Sequence, residues 1–138
     1  MDALSVLAEQ QVDPSAYVWV HAQNEKDRAL HQRAAKAGAW IELDGVSEQS
    51  SAAHVTAVMD LARGGVLERV LISQDAGWYH VGEPNGGSYR PYALLFDAFV
   101  PALRAAGLTE AEIQALLVEN PAQAFQVRKR LLSPPGRA

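Results

Sequence analysis

No cysteine occurs in the 138 residues. Disulfides, thiolate zinc sites and a cysteine nucleophile are therefore excluded, while either a reducing or an oxidising compartment is compatible. A basic excess is also missing. The 12 Lys and Arg against 16 Asp and Glu leave a net charge of −4, so there is no electrostatic footprint for nucleic acid and no such partner is expected. The opening MDALSVLAEQQ has neither a basic n-region nor an apolar stretch suited to a signal peptide or a membrane span. The expectation is a soluble protein, cytoplasmic by default, with no membrane partner. GEPNGG lacks the Lys-Ser/Thr ending of a phosphate-cradling loop, and no G-x-G-x-x-G follows a strand. No G-x-S-x-G elbow is present, which argues against a serine hydrolase.

What remains is an ordinary globular composition, 49% apolar and 20% charged, at a one-domain length. Short apolar runs alternate with longer helical patterns. YVWVH (17–21), after the turn signal DPS, suits a strand buried on both faces of a parallel sheet. KDRALHQRAAKAG (26–38) predicts a helix with Leu30, Ala34 and Ala37 on one stripe and Gly38 as its stop. AWIEL (39–43) predicts a second strand. SSAAHVTAVMDLARGG (50–65) predicts a second helix with Val55, Val58, Met59 and Ala62 at helical spacing, and RVLISQ (69–74) a third strand. Strand–helix–strand–helix–strand at this spacing is the pattern of βαβ units. Beyond it the chain reads as helical. Pro91 suits a first helical turn, and Pro101 should kink or split that helix. TEAE (109–112) is a capping box, Asn120 is placed as a cap before Pro121, and the tail SPPGRA is expected to fray.

In parallel α/β architectures the loops beyond the carboxyl ends of the strands form one functional face. Those ends carry His21, then Glu42 and Asp44, then Asp75. At about 4.8 Å per strand, the first and third ends stand on the order of 10 Å apart, within reach of one ion. Imidazole and carboxylate are suitable ligands for zinc, manganese or iron. Each residue has a plainer reading too. His21 can be a structural histidine, Asp75 a turn cap, and Asp44-Gly45 a turn dipeptide. Glu42 can face a helix or a barrel interior, and Trp78, Tyr79 and Tyr89 can cover core beneath the loop. His31 and His54, on helices away from the strand ends, are expected to be solvated.

VWVHAQNEKD, AWIELDGV, VLISQDAGWY and PALRAAGLTEAEIQALLVENPAQAF, in that order and spacing, resemble the last three strands and closing helices of the phosphotriesterase family of metal-dependent amidohydrolases. The resemblance implies an α/β fold comprising the C-terminal three βα units of a TIM (β/α)8 barrel, parallel strands flanked by helices. Residues 1–138 are then a partial barrel domain holding the sixth to eighth strands. It implies that His21 is the sixth-strand metal ligand. Asp75 would be the eighth-strand aspartate, which binds metal and takes the proton of the attacking hydroxide. Trp78, Tyr79 and Asp44 would belong to the substrate pocket. The implied cofactor is a divalent metal, zinc foremost, binuclear in a complete barrel. The implied reaction is hydrolysis of a small-molecule ester-type substrate: a phosphotriester, lactone or carboxylic ester.

Three departures accompany the resemblance. Gln74 stands where many members carry His, and Gly45 stands where some carry a pocket His or Arg. A complete barrel takes about 250 residues. The family's first-strand His-x-His pair, fourth-strand bridging ligand and fifth-strand His have no counterpart here. Two protein ligands fall short of the three usual at a catalytic zinc. The chain by itself is therefore expected to be inactive, to need the missing N-terminal half or to self-associate through open strand edges. The alternative is a non-catalytic half-barrel subunit or interaction module.

Overall fold

The computed structural model describes residues 3–90 and 92–132. The readings made for Pro91 and for the SPPGRA tail lie outside the described residues. Three strands, β1 (Val18–Trp19), β2 (Trp40–Leu43) and β3 (Val70–Ile72), form one parallel sheet in the order β1-β2-β3. Val18 pairs with Trp40 and Trp19 with Ile41; Ile41, Glu42 and Leu43 pair with Val70, Leu71 and Ile72. All three carboxyl ends therefore open on the same edge, as the alternating pattern predicts.

The strands are shorter than their apolar runs. β1 stops because the Val20 N–H turns back to the Val18 carbonyl at 3.1 Å, and His21 then enters a left-handed conformation. Arg69 belongs to the 3-10 turn Leu67–Arg69 rather than to β3. Beyond Ile72, Ser73 still donates to the Leu43 carbonyl at 3.2 Å and accepts from Val46 at 3.1 Å. That pairing carries the backbone close to Asp75 with its direction preserved.

The crossover helices are α2 (Arg28–Lys36) and α3 (Ser51–Arg63), following an N-terminal α1 (Ala3–Glu9). Asp27 caps α2, its carboxylate accepting from Ala29 N at 3.0 Å, so the helix opens two residues later than its pattern suggests. Gly38, at φ 109°, ends it in a conformation that suits glycine. The buried face of α2 is His31, Ala34 and Ala35, and Ala37 is exposed. In α3 it is His54, Ala57, Val58 and Leu61. The expectation that both histidines are solvated is therefore wrong: they are 2% and 4% exposed. Each replaces an aliphatic residue on the packed stripe. His31 meets the Trp19 ring edge-on at 5.1 Å, and His54 meets Phe99 at 6.4 Å.

The C-terminal helices share one device. A π-helical turn, Leu95–Phe99, runs into α4 (Val100–Ala105), and another, Ala115–Glu119, joins α5 (Glu110–Gln114) to α6 (Asn120–Phe125). Pro101 and Pro121 each stand in the first turn after the π segment, where the missing proline N–H is absorbed by a widened turn. Pro101 thus marks a change of helical type. The helix runs straight through Asn120, so Asn120 is not a cap. It is 1% exposed, and its Nδ2 donates to the Leu67 and Val70 carbonyls at 2.8 Å each, tying α6 to the start of β3. The capping box at Thr109 and Glu112 is formed: Glu112 N donates to Thr109 Oγ1 at 3.3 Å and Thr109 N to Glu112 Oε2 at 2.8 Å.

Alternation along β2 sorts its side chains. Ile41 and Leu43 face the helices and join the main core, with Val58, Leu61, Phe99, Leu103 and Leu116. Trp40 points to the other face, where it packs with Leu71, Ala124 and Val18. Glu42 and Asp44 follow on that same face, one and two steps nearer the strand ends.

Candidate metal centre

His21 and Asp75 sit just beyond β1 and β3, and both have left-handed backbones, at φ 54° and φ 45°. Such a conformation costs an L-residue roughly 1–2 kcal/mol, although His and Asp tolerate it better than most. The surroundings hold each in place. Asp44 Oδ2 accepts from the His21 backbone N–H at 2.7 Å. The Asp75 carbonyl accepts from Arg90 Nη2 at 2.9 Å and from Trp78 Nε1 at 3.0 Å. Arg90 also reaches the Gln74 carbonyl at 2.8 Å and the Val46 carbonyl at 3.1 Å, so one guanidinium straps the end of the long loop across two strand ends. The two left-handed residues thus stand at matching positions of two βα units.

The side chains converge there. One potential ligand atom from each of His21, Asp44 and Asp75 lies within 4.8 Å of the others. His21 Nδ1 contacts Asp44 Oδ1 at 2.8 Å, and Gln23 Nε2 donates to the same oxygen at 2.6 Å. Asp44 is 5% exposed while His21 and Asp75 open to solvent. The hydrogen bond from Asp44, then its charge, raises the His21 pKa above its ordinary value. Burial alone would push Asp44 up, but the bonds from His21 and Gln23 outweigh it and hold its carboxyl below the usual range. No backbone N–H among the described residues donates to the Asp75 carboxylate, so the geometry of a turn cap is not formed. The His21 imidazole and the open Asp75 carboxylate are ligand types that suit a zinc, manganese or iron ion, and Asp44 stands against the imidazole.

The remaining residues fall around this centre. Trp78 lines a groove of about 470 Å³ with Ser73, Gln74, Asp75 and Tyr92. Tyr79 does not line it; its ring lies over Gly86, where a Cβ would meet Tyr79 Cδ2 at 2.3 Å. Gly77, at φ 83°, brings the backbone under Tyr92, where an added Cβ would stand 1.7 Å from the phenol oxygen. Gln74 accepts from Leu95 N at 3.2 Å and donates to the Tyr92 carbonyl at 2.6 Å, fixing the far end of the loop. Glu42, on the inward face, takes a bond from Ser73 Oγ at 3.2 Å, and burial raises its pKa. His54 stands between the Asp44 carbonyl, 2.7 Å from Nε2, and the Ser50 carbonyl, 3.0 Å from Nδ1.

Gln23 and Arg90 are the contributors that sequence reasoning missed. Gln23 stands two residues past the strand-end histidine, and that spacing was the available signal. Arg90 acts across more than forty residues of chain and left none.

A parallel sheet flanked by helices, with its polar groups gathered beyond the carboxyl ends of the strands, is the arrangement of a (β/α) barrel enzyme's catalytic face. The phosphotriesterase family's model matches residues 1–125, and the chain belongs to that family. It is 32% identical over 92 residues to a phosphotriesterase homology protein of Escherichia coli, covering 64% of this chain and 31% of that protein. It is 26% identical over 138 residues to one of Mycobacterium tuberculosis, covering 91% of this chain and 41% of that protein. The crystal structure of the E. coli phosphotriesterase homology protein with phosphate in its active site superposes with a TM-score of 0.75 at 28% identity, over 89% of this chain and 43% of that one. An organophosphorus hydrolase from Deinococcus radiodurans gives 0.73 at 25% identity, over 88% and 41%. These neighbours are phosphotriesterase-type TIM barrels, and the chain spans less than half the length of each of these relatives. No helix among the described residues is long and apolar enough to cross a membrane.

Proposed function

We propose that the chain carries the sixth to eighth βα units of a metal-dependent hydrolase acting on an ester-type bond, a phosphotriester, lactone or carboxylic ester. The observation that carries this reading is the convergence of His21, Asp44 and Asp75 on one point of the strand-end face, on strained backbone held from both sides. His21 and Asp75 would hold the ion, zinc foremost. When bound, such an ion lowers the pKa of water toward neutrality and polarises the electrophilic oxygen. Asp75 presents an open carboxylate, the acceptor a nucleophile's proton requires. Trp78 offers an apolar wall beside it for a substrate's organic substituent, and Arg90 keeps that wall in register with the acid. The phosphate in the active site of the E. coli relative and the name of the D. radiodurans hydrolase both favour an ester of phosphorus or a related acyl centre.

Further ligands and strands would come from the rest of a barrel, either in a longer polypeptide or in a partner chain. The outer edges of β1 and β3 are free to receive them. A non-catalytic half-barrel module is the second reading, favoured by the exposure of the large apolar side chains Val20, Tyr92 and Phe96.

The test is hydrolysis of a panel of aryl phosphotriesters, lactones and carboxylic esters by the natural gene product loaded with zinc or manganese. Asp75→Asn should lower turnover by about 10²–10⁴-fold with an unchanged melting temperature, because an amide cannot accept the proton. Turnover near wild type in that variant would sink the assignment.

A further inference from the structure

We infer that Asp44 is a positioning residue rather than a wall of the substrate pocket: its carboxylate fixes His21 as the Nδ1–H tautomer and turns Nε2 toward the strand-end mouth. What Nε2 is used for rests on the hydrolase reading above; the tautomer itself does not.

The carboxylate is committed on both oxygens. Oδ2 accepts the His21 backbone N–H at 2.7 Å, while Oδ1 is shared by His21 Nδ1 at 2.8 Å and Gln23 Nε2 at 2.6 Å. An ionised carboxylate only accepts, so the hydrogen between Oδ1 and Nδ1 has to belong to the ring. A neutral imidazole has one N–H, and placing it on Nδ1 leaves the lone pair on Nε2. Asp44 is itself held from behind: its N–H donates to Gln23 Oε1 at 3.2 Å, and its carbonyl accepts from His54 Nε2 at 2.7 Å. Asp44 is 5% exposed and the His21 side chain 60%, so of the pair it is the imidazole that meets solvent.

The same two bonds answer for the strained backbone. The Oδ2 contact orders the left-handed turn at His21, and the Oδ1 contact orders the ring that the turn presents. A pocket residue needs neither. A ring nitrogen engaged by a carboxylate while the other faces outward is how ligating histidines are oriented. It also explains why a buried acid is kept at the end of β2, with Gln23 and His54 recruited to satisfy it.

The experiment is long-range ¹H–¹⁵N NMR of the histidine side chains in the full chain, metal-free, at about pH 9. The expected result is that His21 carries its proton on Nδ1 in at least about tenfold excess, as follows for a hydrogen bond to a charged acceptor. Solvated imidazole favours Nε2–H. Asp44→Asn should bring that excess down severalfold, and Gln23→Ala, which leaves the carboxylate in place, should move it less. Backbone amide dispersion shows that each variant is folded; Gln23→Ala provides a graded readout should Asp44→Asn not be. An Nε2–H majority in the unaltered chain, or a ratio indifferent to both substitutions, overturns the inference. Zinc titration of the same samples separates the two claims. A fixed tautomer with no zinc binding by the complete protein would sink the hydrolase reading alone, whereas binding about 10–100-fold weaker in Asp44→Asn supports both.

Discussion

The two faces of the sheet differ in what they bury. Toward the helices, Ile41, Leu43 and Val70 pack against Val58, Leu61, Phe99, Leu103 and Leu116, all nearly or wholly withdrawn from solvent. On the opposite face, the buried apolar residues among those described are Trp40, Leu71 and Ala124, and the next positions toward the strand ends are Glu42, Ser73 and Asp44. One face is assembled from this chain's own helices and needs nothing else. The other grades from apolar to ionisable within a few residues, as a barrel interior does on approaching a catalytic mouth. The apolar core and the ionisable groups thus stand on opposite sides of the same three strands.

Truncations on each face break or sharpen that comparison. Leu103 is 0% exposed in the helix-facing core, and Leu103→Ala should cost about 3–5 kcal/mol, near the upper end for a buried leucine. Leu71, 4% exposed with few apolar neighbours, should cost about 2 kcal/mol when replaced by Ala. Urea titrations of the two variants decide it. An equal or inverted order would mean that the inward face contributes as much to folding as the outward one.

Asn120 tests whether the two faces are joined by polar contacts as well. Its amide serves two carbonyls, Leu67 and Val70, at the start of β3. Removing a buried donor leaves acceptors unsatisfied, at about 1–3 kcal/mol. Asn120→Asp keeps the shape, loses the donors and sets an acid against two carbonyl oxygens, so it should destabilise at least as much as Asn120→Ala. A loss below about 0.5 kcal/mol in the aspartate variant would show that α6 is held by Ala124 packing alone.

The features that were legible in the sequence are those that depend on local pattern. Short continuous apolar runs identified all three strands, period-3.6 spacing both crossover helices, and TEAE a cap. The placement of His21 and Asp75 just beyond two strand ends was legible because it follows from where the apolar runs stop. Asp44 was read as a pocket residue or half of a turn dipeptide, since Asp-Gly is a turn signal whatever lies across from it. The hydrogen-bond network around it comes from Gln23 and His54, which only the assembled sheet brings near. His31 and His54, expected on solvated faces, are buried, because an imidazole on a packed stripe looks like one on a solvated stripe until its partners are known. Asn120 followed the statistics of Asn-Pro at helix starts, and a π turn upstream let the helix continue through it.

The smallest expected effect concerns Glu42, the residue where the inward face changes character. Burial raises its pKa; the Ser73 hydroxyl lowers it, Asp44 and Asp75 raise it further, and His21 lowers it. A carboxyl whose pKa is higher folded than unfolded favours the folded state when protonated. Its contribution is fully present below the unfolded value, near 4.5, and is lost as pH rises through the raised folded value. At neutral pH the ionised Glu42 therefore destabilises the fold, and Glu42→Gln should relieve it. The variant should match wild type near pH 4 and melt a few degrees higher at pH 7. Parallel stability–pH curves, or a glutamine variant less stable at pH 7, would show that the carboxylate is well accommodated where it stands. The predicted gain has a consequence for the comparison of the two faces. A position that a neutral side chain would stabilise, directly beneath His21, Asp44 and Asp75, is occupied by an acid. A measured gain in Glu42→Gln would mark Glu42 as an acid kept on the inward face at a cost in stability.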